Sequence, residues 1–402
     1  MSTRPFLRRL ALCLGSVLAA ACAGDDGGGG MGTGGDTDTG GSGGTGGACE
    51  IDGTPQVPPI DESSCAPLPT DYQPLDNMSA NDMWPACITD DGEYHLVADS
   101  PGTIGRVEGY EMIADLLWRN GKVPTTDDFT MARVVYSQDQ GLESRIQRRE
   151  DLHYPPIPME DWDPTVDPDK QCSVPSNVDK YPDRCVGPGR MQPILDAAFA
   201  AGQTGEGIAE VHAARIQATL LWFLYTSTYK ESNTCFTSKA KDCDSSWAYY
   251  TGGFQRDGGI GLAGEVRALS DTTHNRVFDG VAAVRCLRDL YPDDMYPVLD
   301  DLPAEGQMLF DLGWEQLDNA LHRGFALVVR DRLARQADLS GNEALANWAF
   351  LQIAGPVLQR EADERGPASE AQTLADLFAM DCPTAADIEA GIAALDTIFP
   401  CP

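Results

Sequence analysis

The 402-residue chain is poor in positive charge: 29 Lys and Arg stand against 62 Asp and Glu, a net charge of −33. Phosphate backbones are bound by clustered cations, so this balance excludes a nucleic-acid footprint, and it disfavours docking on anionic lipid head groups. Close cysteine pairs are missing too. No C-x-x-C occurs among the twelve Cys, which leaves no zinc-finger or thioredoxin-like spacing. Past residue 48, G-x-S-x-G and H-E-x-x-H are absent. So is the period-2 alternation of Val, Ile and Thr that marks half-buried strands.

What is present first is an export address. Arg4, Arg8 and Arg9 precede an apolar stretch, Leu10 to Ala21, that is too short to span a bilayer. Residues 1–21 therefore read as a signal peptide. The stretch ends in Leu18-Ala19-Ala20-Ala21-Cys22. This resembles a bacterial lipobox, with Ala19 where the pattern prefers Leu, and implies that Cys22 is lipidated and becomes the new N-terminus. The plainer alternative is simple cleavage near Ala21. Residues 22–48 are almost all Gly, Thr, Ser and Asp and cannot bury a core. As a flexible coil they span about 25 Å, enough to hold a lipid-anchored domain clear of its membrane. The expected location is the periplasm or the cell surface.

The folded body is then 49–402. It keeps 26 of the Lys and Arg and 58 of the Asp and Glu, so the acidity belongs to the domain and not to a tail. Such a surface resists aggregation, and it also raises the local concentration of cations. Ten Cys remain after Cys13 and Cys22, an even number that predicts up to five disulfides in an exported chain. Three pairs look local: Cys172 with Cys185, Cys235 with Cys243, and Cys382 with Cys401. Cys49, Cys65, Cys87 and Cys286 cannot be paired from sequence.

The fold class predicted is all-α, a helical bundle or a pair of bundles. Residues 49–100, rich in Pro and Cys, read as an irregular, disulfide-pinned cap. Apolar residues then recur at three and four: Ile104, Val107, Ala114, Leu117 and Trp118 in one helix, with a second over 127–149. Residues 154–190 form a long Pro/Asp/Cys loop, a length that often carries function. Further helices fit 191–202, 205–230, 261–271, 274–290, 306–336, 341–364, 367–380 and 384–399. Within 205–230 the run Ala218 to Leu224 is apolar on all sides, so that helix is buried among others.

Two enzyme motifs fail on context. Ser227-Thr228-Tyr229-Lys230 matches S-x-x-K, but it falls at the end of a helix rather than its start, with no S-D-N or K-T-G to follow. Gly259-Ile260-Gly261-Leu262-Ala263-Gly264 matches G-x-G-x-x-G, but no apolar strand precedes it. It reads as a glycine loop that starts a helix.

Metal ligation is the chemistry whose residues are in reach. Glu315, Asp318 and His322 sit at i, i+3 and i+7 beside the apolar stripe Trp314, Leu317, Leu321, Phe325 and Val328. Bundle carboxylate/His centres are built this way. His212, Glu150 and His153 are the next candidates. Glu210 and His212, two apart on a helix, point away from each other and cannot chelate together. The plain reading of each is a solvated carboxylate or a His bonded across a turn. Asp161, Asp163, Asp167 and Asp169 offer hard oxygens for Ca²⁺ but lack the EF-hand Gly and Glu.

One segment carries a family likeness. It runs from His212-Ala213-Ala214-Arg215-Ile216-Gln217 through an apolar stretch to Asp244-Ser245-Ser246-Trp247-Ala248-Tyr249-Tyr250-Thr251-Gly252. It resembles the algal iron-assimilation, or low-CO2-induced periplasmic, protein family, whose motif reads W-D-E-A-x-A-[FY]-Y-x-G. Asp244, Ala248, Tyr249, Tyr250 and Gly252 match, while Cys243 and Ser245 replace the motif's Trp and Glu. The resemblance covers 212–290 and implies a secreted helical protein of iron uptake rather than an enzyme. The expectation is an exported, lipid-anchored binding protein for iron or another metal cation. The alternatives are an extracellular hydrolase using paired carboxylates such as Asp161 and Asp163, and a structural or adhesive surface protein.

Overall fold

Helices and turns make up all the regular structure among the described residues; no strand occurs there. The computed structural model describes residues 49–401 apart from 50, 52, 77–82, 99–101, 120, 139–140 and 293–294. The expected signal peptide, Cys22 and the tether lie outside the described residues. In chain order the α-helices are α1 (Ile104–Leu117), α2 (Thr126–Tyr136), α3 (Leu142–Ile146), α4 (Pro175–Lys180), α5 (Gln192–Thr204), α6 (Ala209–Thr237), α7 (Asp242–Thr251), α8 (Leu262–Leu269), α9 (Asp271–Asp289), α10 (Ala304–Arg335), α11 (Gly341–Val357), α12 (Gln359–Arg365), α13 (Ala368–Phe378) and α14 (Ala385–Ile398).

Local chemistry sets several of these boundaries. Thr125 with Asp128 opens α2, and Thr384 with Asp387 opens α14, each as a reciprocal capping box. Gly205 closes α5 in the left-handed conformation, at φ +70°. Gly261, at φ +60°, turns the chain into α8 while its N–H donates to Glu111 Oε1 at 2.7 Å. The glycine motif is thus a helix start, as its sequence context predicts.

Two expected helices are each broken in two. The 127–149 stretch stops at Tyr136 and resumes at Leu142, with Gly141 before the restart. The 341–364 stretch ends at Val357 and restarts at Gln359, just past Pro356. Proline removes an N–H and crowds the preceding turn, which weakens the helix at this point. Two helices were not expected: α4, which lies inside the 154–190 stretch read as a loop, and α7. In α7 the buried Asp242, Asp244, Ser246 and Thr251 interrupt any apolar stripe.

The centre is α6, 29 residues long and buried almost all round, packed against α5, α7 and α11. Alongside, α9 lies against α10. A Cβ at Gly280 would sit 2.6 Å from Leu317 Cα, so only glycine lets these two backbones approach so closely. That contact fixes α10 where it carries the site.

The cap, described from Cys49 to Ala98, contains a single 3₁₀ turn at Pro74–Asp76. It is held by polar side chains that recur every two turns of α10. Gln316 exchanges two hydrogen bonds with the Tyr72 backbone, at 2.8 and 2.9 Å. Arg323 donates to the Asp61 carbonyl and Arg330 to the Pro58 carbonyl, at 3.2 and 2.7 Å. Just past the helix, Gln336 donates to the Cys49 carbonyl at 3.2 Å. An extended backbone has no internal partners, so the ladder on α10 replaces them.

Five disulfides join Cys49–Cys382, Cys65–Cys401, Cys87–Cys286, Cys172–Cys185 and Cys235–Cys243. They suit an oxidising compartment. Two local pairs are as expected. The Cys382–Cys401 pairing is corrected: both Cys flank α14, whose 14 residues span about 21 Å, and a disulfide needs Cα atoms within about 7 Å. Each instead reaches back to the cap.

Candidate metal centre

Asp318 and His322 stand one turn apart on α10. Glu361 comes from α12 and His153 from the turn that follows α3. One donor atom from each of the four lies within 4.8 Å of the other three. Their side chains are 14%, 1%, 3% and 4% exposed respectively, so water cannot satisfy them. Among the described residues no other group brings three or more such ligands together.

The hydrogen bonds behind the rings decide what each imidazole presents. His153 Nδ1 is 2.7 Å from Asp151 Oδ1, which also accepts from the His153 backbone N–H at 3.0 Å. His322 Nδ1 is 2.8 Å from the Asp318 carbonyl. A carbonyl only accepts, so His322 carries its proton on Nδ1. Its Nε2 then offers a lone pair, 3.4 Å from Glu361 Oε1 and without a hydrogen bond. Two lone pairs in a dry site repel unless a proton or a cation lies between them. On the other side His153 Nε2 is 3.3 Å from Asp318 Oδ1. Histidines held at Nδ1 by an oxygen, with Nε2 turned inward, are how protein metal centres present imidazole.

The electrostatics separate the two histidines. Burial disfavours charge on His153, but hydrogen bonds to Asp151 and Asp318 outweigh it and raise its pKa. Burial lowers the pKa of His322 despite Asp318, and the His153 and Arg365 charges add to that. Asp318 is held well below the usual carboxylate range: burial opposes ionisation, and His322 and His153 overcome it. The site thus holds a neutral imidazole, an imidazole that trades a proton, and ionised carboxylates.

Counter-charge comes from α12 itself. Arg360 pairs with Glu361, and Arg365 pairs with both Glu361 and Asp318. Aromatic rings close the walls. Tyr229 stacks on His153 with centroids 3.6 Å apart, and Tyr225 lies 5.6 Å from His322. Burial, and next the Asp318 charge, raise both phenols, so they stay protonated and act as wall. A cleft of about 480 Å³, lined by Asp151, His153, Trp222, Tyr225, Arg360 and Glu361, gives access. The donor set therefore fits a cation: mixed imidazole and carboxylate ligands suit first-row transition metals, with an unpartnered nitrogen aimed at an acid.

The sequence candidates divide sharply. Asp318, His322 and His153 converge. Glu315 does not; its side chain is exposed. Positions i, i+3 and i+7 lie within about 60° of one another around a helix, but Glu315 stands about 10 Å along the axis from His322, too far to share its ligand sphere. His212 is spent locally, with Nε2 2.7 Å from the Glu206 carbonyl. Glu150 pairs with Arg184 at 2.8 Å. The loop aspartates also have separate partners: Asp161 bonds Lys180 at 2.7 Å, Asp163 bonds Thr165, and Asp169 pairs with Lys239 at 2.5 Å.

Sequence reasoning missed Asp151 and Glu361. The signal for Glu361 was an acid beside Leu358 and Ala362, both buried, on a helix broken by Pro356. The segment Asp244–Gly252 proves to be an anchor for the cap. Asp244 accepts from the Val97 and Ala98 N–H groups, each at 2.9 Å, and Trp247 stacks on Tyr94 at 4.9 Å. Ser227 lies buried inside α6, not at its end. Compared with protein-family models, curated proteins and solved structures, the chain matches none.

Proposed function

We propose that this is an exported, lipid-anchored helical protein that captures a first-row transition-metal cation at His153, Asp318, His322 and Glu361, serving metal acquisition. Iron is the cation to which the family resemblance points. The observation that carries the reading is the inward, unpartnered Nε2 of His322 facing Glu361 in a buried site. The acidic body supports it, because a strongly negative surface concentrates cations near the cleft. The disulfides and the N-terminal address support delivery beyond the cytoplasm.

In this reading the two Nε2 atoms and the Asp318 and Glu361 oxygens are the ligands. Asp151 and the Asp318 carbonyl orient the rings. Binding displaces the proton that His153 otherwise holds. The bound cation supplies positive charge between carboxylates that Arg360 and Arg365 otherwise neutralise.

Titration of the metal-stripped protein with Fe²⁺, Mn²⁺ and Zn²⁺, followed by calorimetry and thermal melting, tests it. One equivalent of at least one cation is expected to bind and raise Tm; at 100 Kd of free metal the gain is about 2.7 kcal/mol. His322→Ala and Glu361→Gln should abolish it. Absence of stoichiometric binding by any of the three would overturn the reading.

A further inference from the structure

A second recess, of about 520 Å³, has the opposite character to the molecule that contains it. Seven Lys and Arg side chains line it against five carboxylates, although the body as a whole carries 26 of the former and 58 of the latter. More than a quarter of the body's cations thus face one concavity. Arg145 and Arg148 come from α3 and the turn after it, with Arg149 beside them; Lys230 comes from α6, and Lys239 and Lys241 from the connection to α7.

The carboxylates do not neutralise the recess evenly. Glu150 is engaged by Arg184, outside the lining. Glu231 is shared by Arg149 at 2.7 Å and Lys230 at 3.5 Å. Asp244 is bound by backbone N–H groups of the cap, and Asp169 by Lys239. Asp242 accepts from the Thr234 hydroxyl at 2.5 Å and stands 3.9 Å from Lys230. Among the described residues, Arg145, Arg148 and Lys241 have no carboxylate within 4 Å. Deeper in, Arg149 is 5% exposed, and its Nε has no hydrogen-bond partner. Its charge, shared with Glu231, adds to the positive potential at the base of the recess.

We propose that this recess binds a small multivalent oxyanion, with Arg145, Arg148 and Lys241 as the primary charge partners and Arg149 at its base. Arginine forks match the planar or tetrahedral oxygens of polycarboxylates and phosphates, and several of them around one concavity select for more than one negative charge. In a surface this acidic, long-range repulsion penalises anions, so a local positive recess confers specificity for those that fit. The assignment stands independently of the metal centre, since none of the four proposed ligands lines this recess.

Calorimetry and thermal melting with citrate, pyrophosphate and acetate, at matched low ionic strength and on metal-stripped protein, provide the test. Citrate or pyrophosphate should bind with one-to-one stoichiometry, weaken as salt rises, and outcompete acetate by at least tenfold. Citrate as the tighter of the two would identify a polycarboxylate site, and pyrophosphate a phosphoryl site. The double variant R145Q/R148Q, and separately Lys241→Gln from the connection to α7, should each weaken that binding about tenfold while keeping the wild-type metal response. Failure of both multivalent anions to bind at millimolar concentration, acetate binding as well as they do, or full affinity in both variants would overturn the proposal.

Discussion

The His153 and His322 rings meet edge to face, with centroids 5.2 Å apart and planes at 61°, and each has its Nδ1 tied to an oxygen behind it. They are chemically similar but electrostatically opposed. Burial works against charge on His153, yet Asp151 and Asp318 raise its pKa, while burial lowers that of His322. One imidazole is therefore ready for a metal at neutral pH, and the other must first release a proton.

Metal affinity is accordingly expected to rise with pH above about 6.5, the ordinary histidine value, by up to tenfold per unit while one proton is displaced. It should level off once pH passes the raised His153 pKa. Calorimetry in buffers of different ionisation enthalpy counts the released proton directly. An affinity flat from pH 6.5 to 8.5 would contradict the assignment of His153 as a ligand.

The metal-free protein should show two limbs of opposite sign. His153, with a raised folded-state pKa, contributes stability that is fully present below about pH 6.5 and lost as pH rises through the folded value. His322 has a lowered folded-state pKa. Its contribution is present above about pH 6.5 and lost as pH falls through the folded value. Thermal melts are expected to lose the alkaline limb in His153→Asn and the acidic limb in His322→Asn, relative to wild type.

Arg365 tells a metal centre from a purely structural ion network. It pairs with both Asp318 and Glu361, while its own side chain is 36% exposed. In Arg365→Gln the metal-free protein should lose about 1–2 kcal/mol, softened by solvent from the cost of breaking a fully buried pair. The same change leaves the carboxylates more negative, so cation affinity should rise by roughly tenfold. Equal destabilisation with and without metal would mean that the guanidinium, not a cation, is the proper partner of these acids.

Much of this architecture was legible because helices write a local pattern. The stripe from Trp314 to Val328 placed α10, and the all-apolar run from Ala218 placed the central helix. The i,i+4 pair Asp318 and His322 could be read for the same reason. Glu361 could not, because its distance from Asp318 depends on how α12 leaves the break at Pro356. The cap was legible only as irregular. Its partners, Gln316, Arg323 and Arg330, recur every seventh residue on α10, a period that in sequence reads as the solvated face of a helix. The distant disulfides share this difficulty, since chain spacing carries no trace of a contact between residues 49 and 382.

That cap is also the part of the fold most dependent on covalent closure. Among the described residues between Cys49 and Asp61 there is no helix or strand, and their attachment to α10 and the turn after it rests on single hydrogen bonds at Cys49, Pro58 and Asp61. Each such bond contributes only about 1 kcal/mol net. Cys65–Cys401 ties the middle of this strap, Cys49 to Tyr72, to the segment after α14, and with Cys49–Cys382 already in place it closes a further loop of about 35 residues in the unfolded ensemble. Replacing both cysteines by Ser should cost about 2–5 kcal/mol. Hydrogen exchange should then show the strap amides, Gln56 and Leu68 among them, losing protection while α6, α9 and α10 stay protected, because their core is closed without it. The metal response should survive, since His153, Asp318, His322 and Glu361 all lie outside the strap. Loss of metal binding in this double variant would show instead that the cap is needed to seat α10.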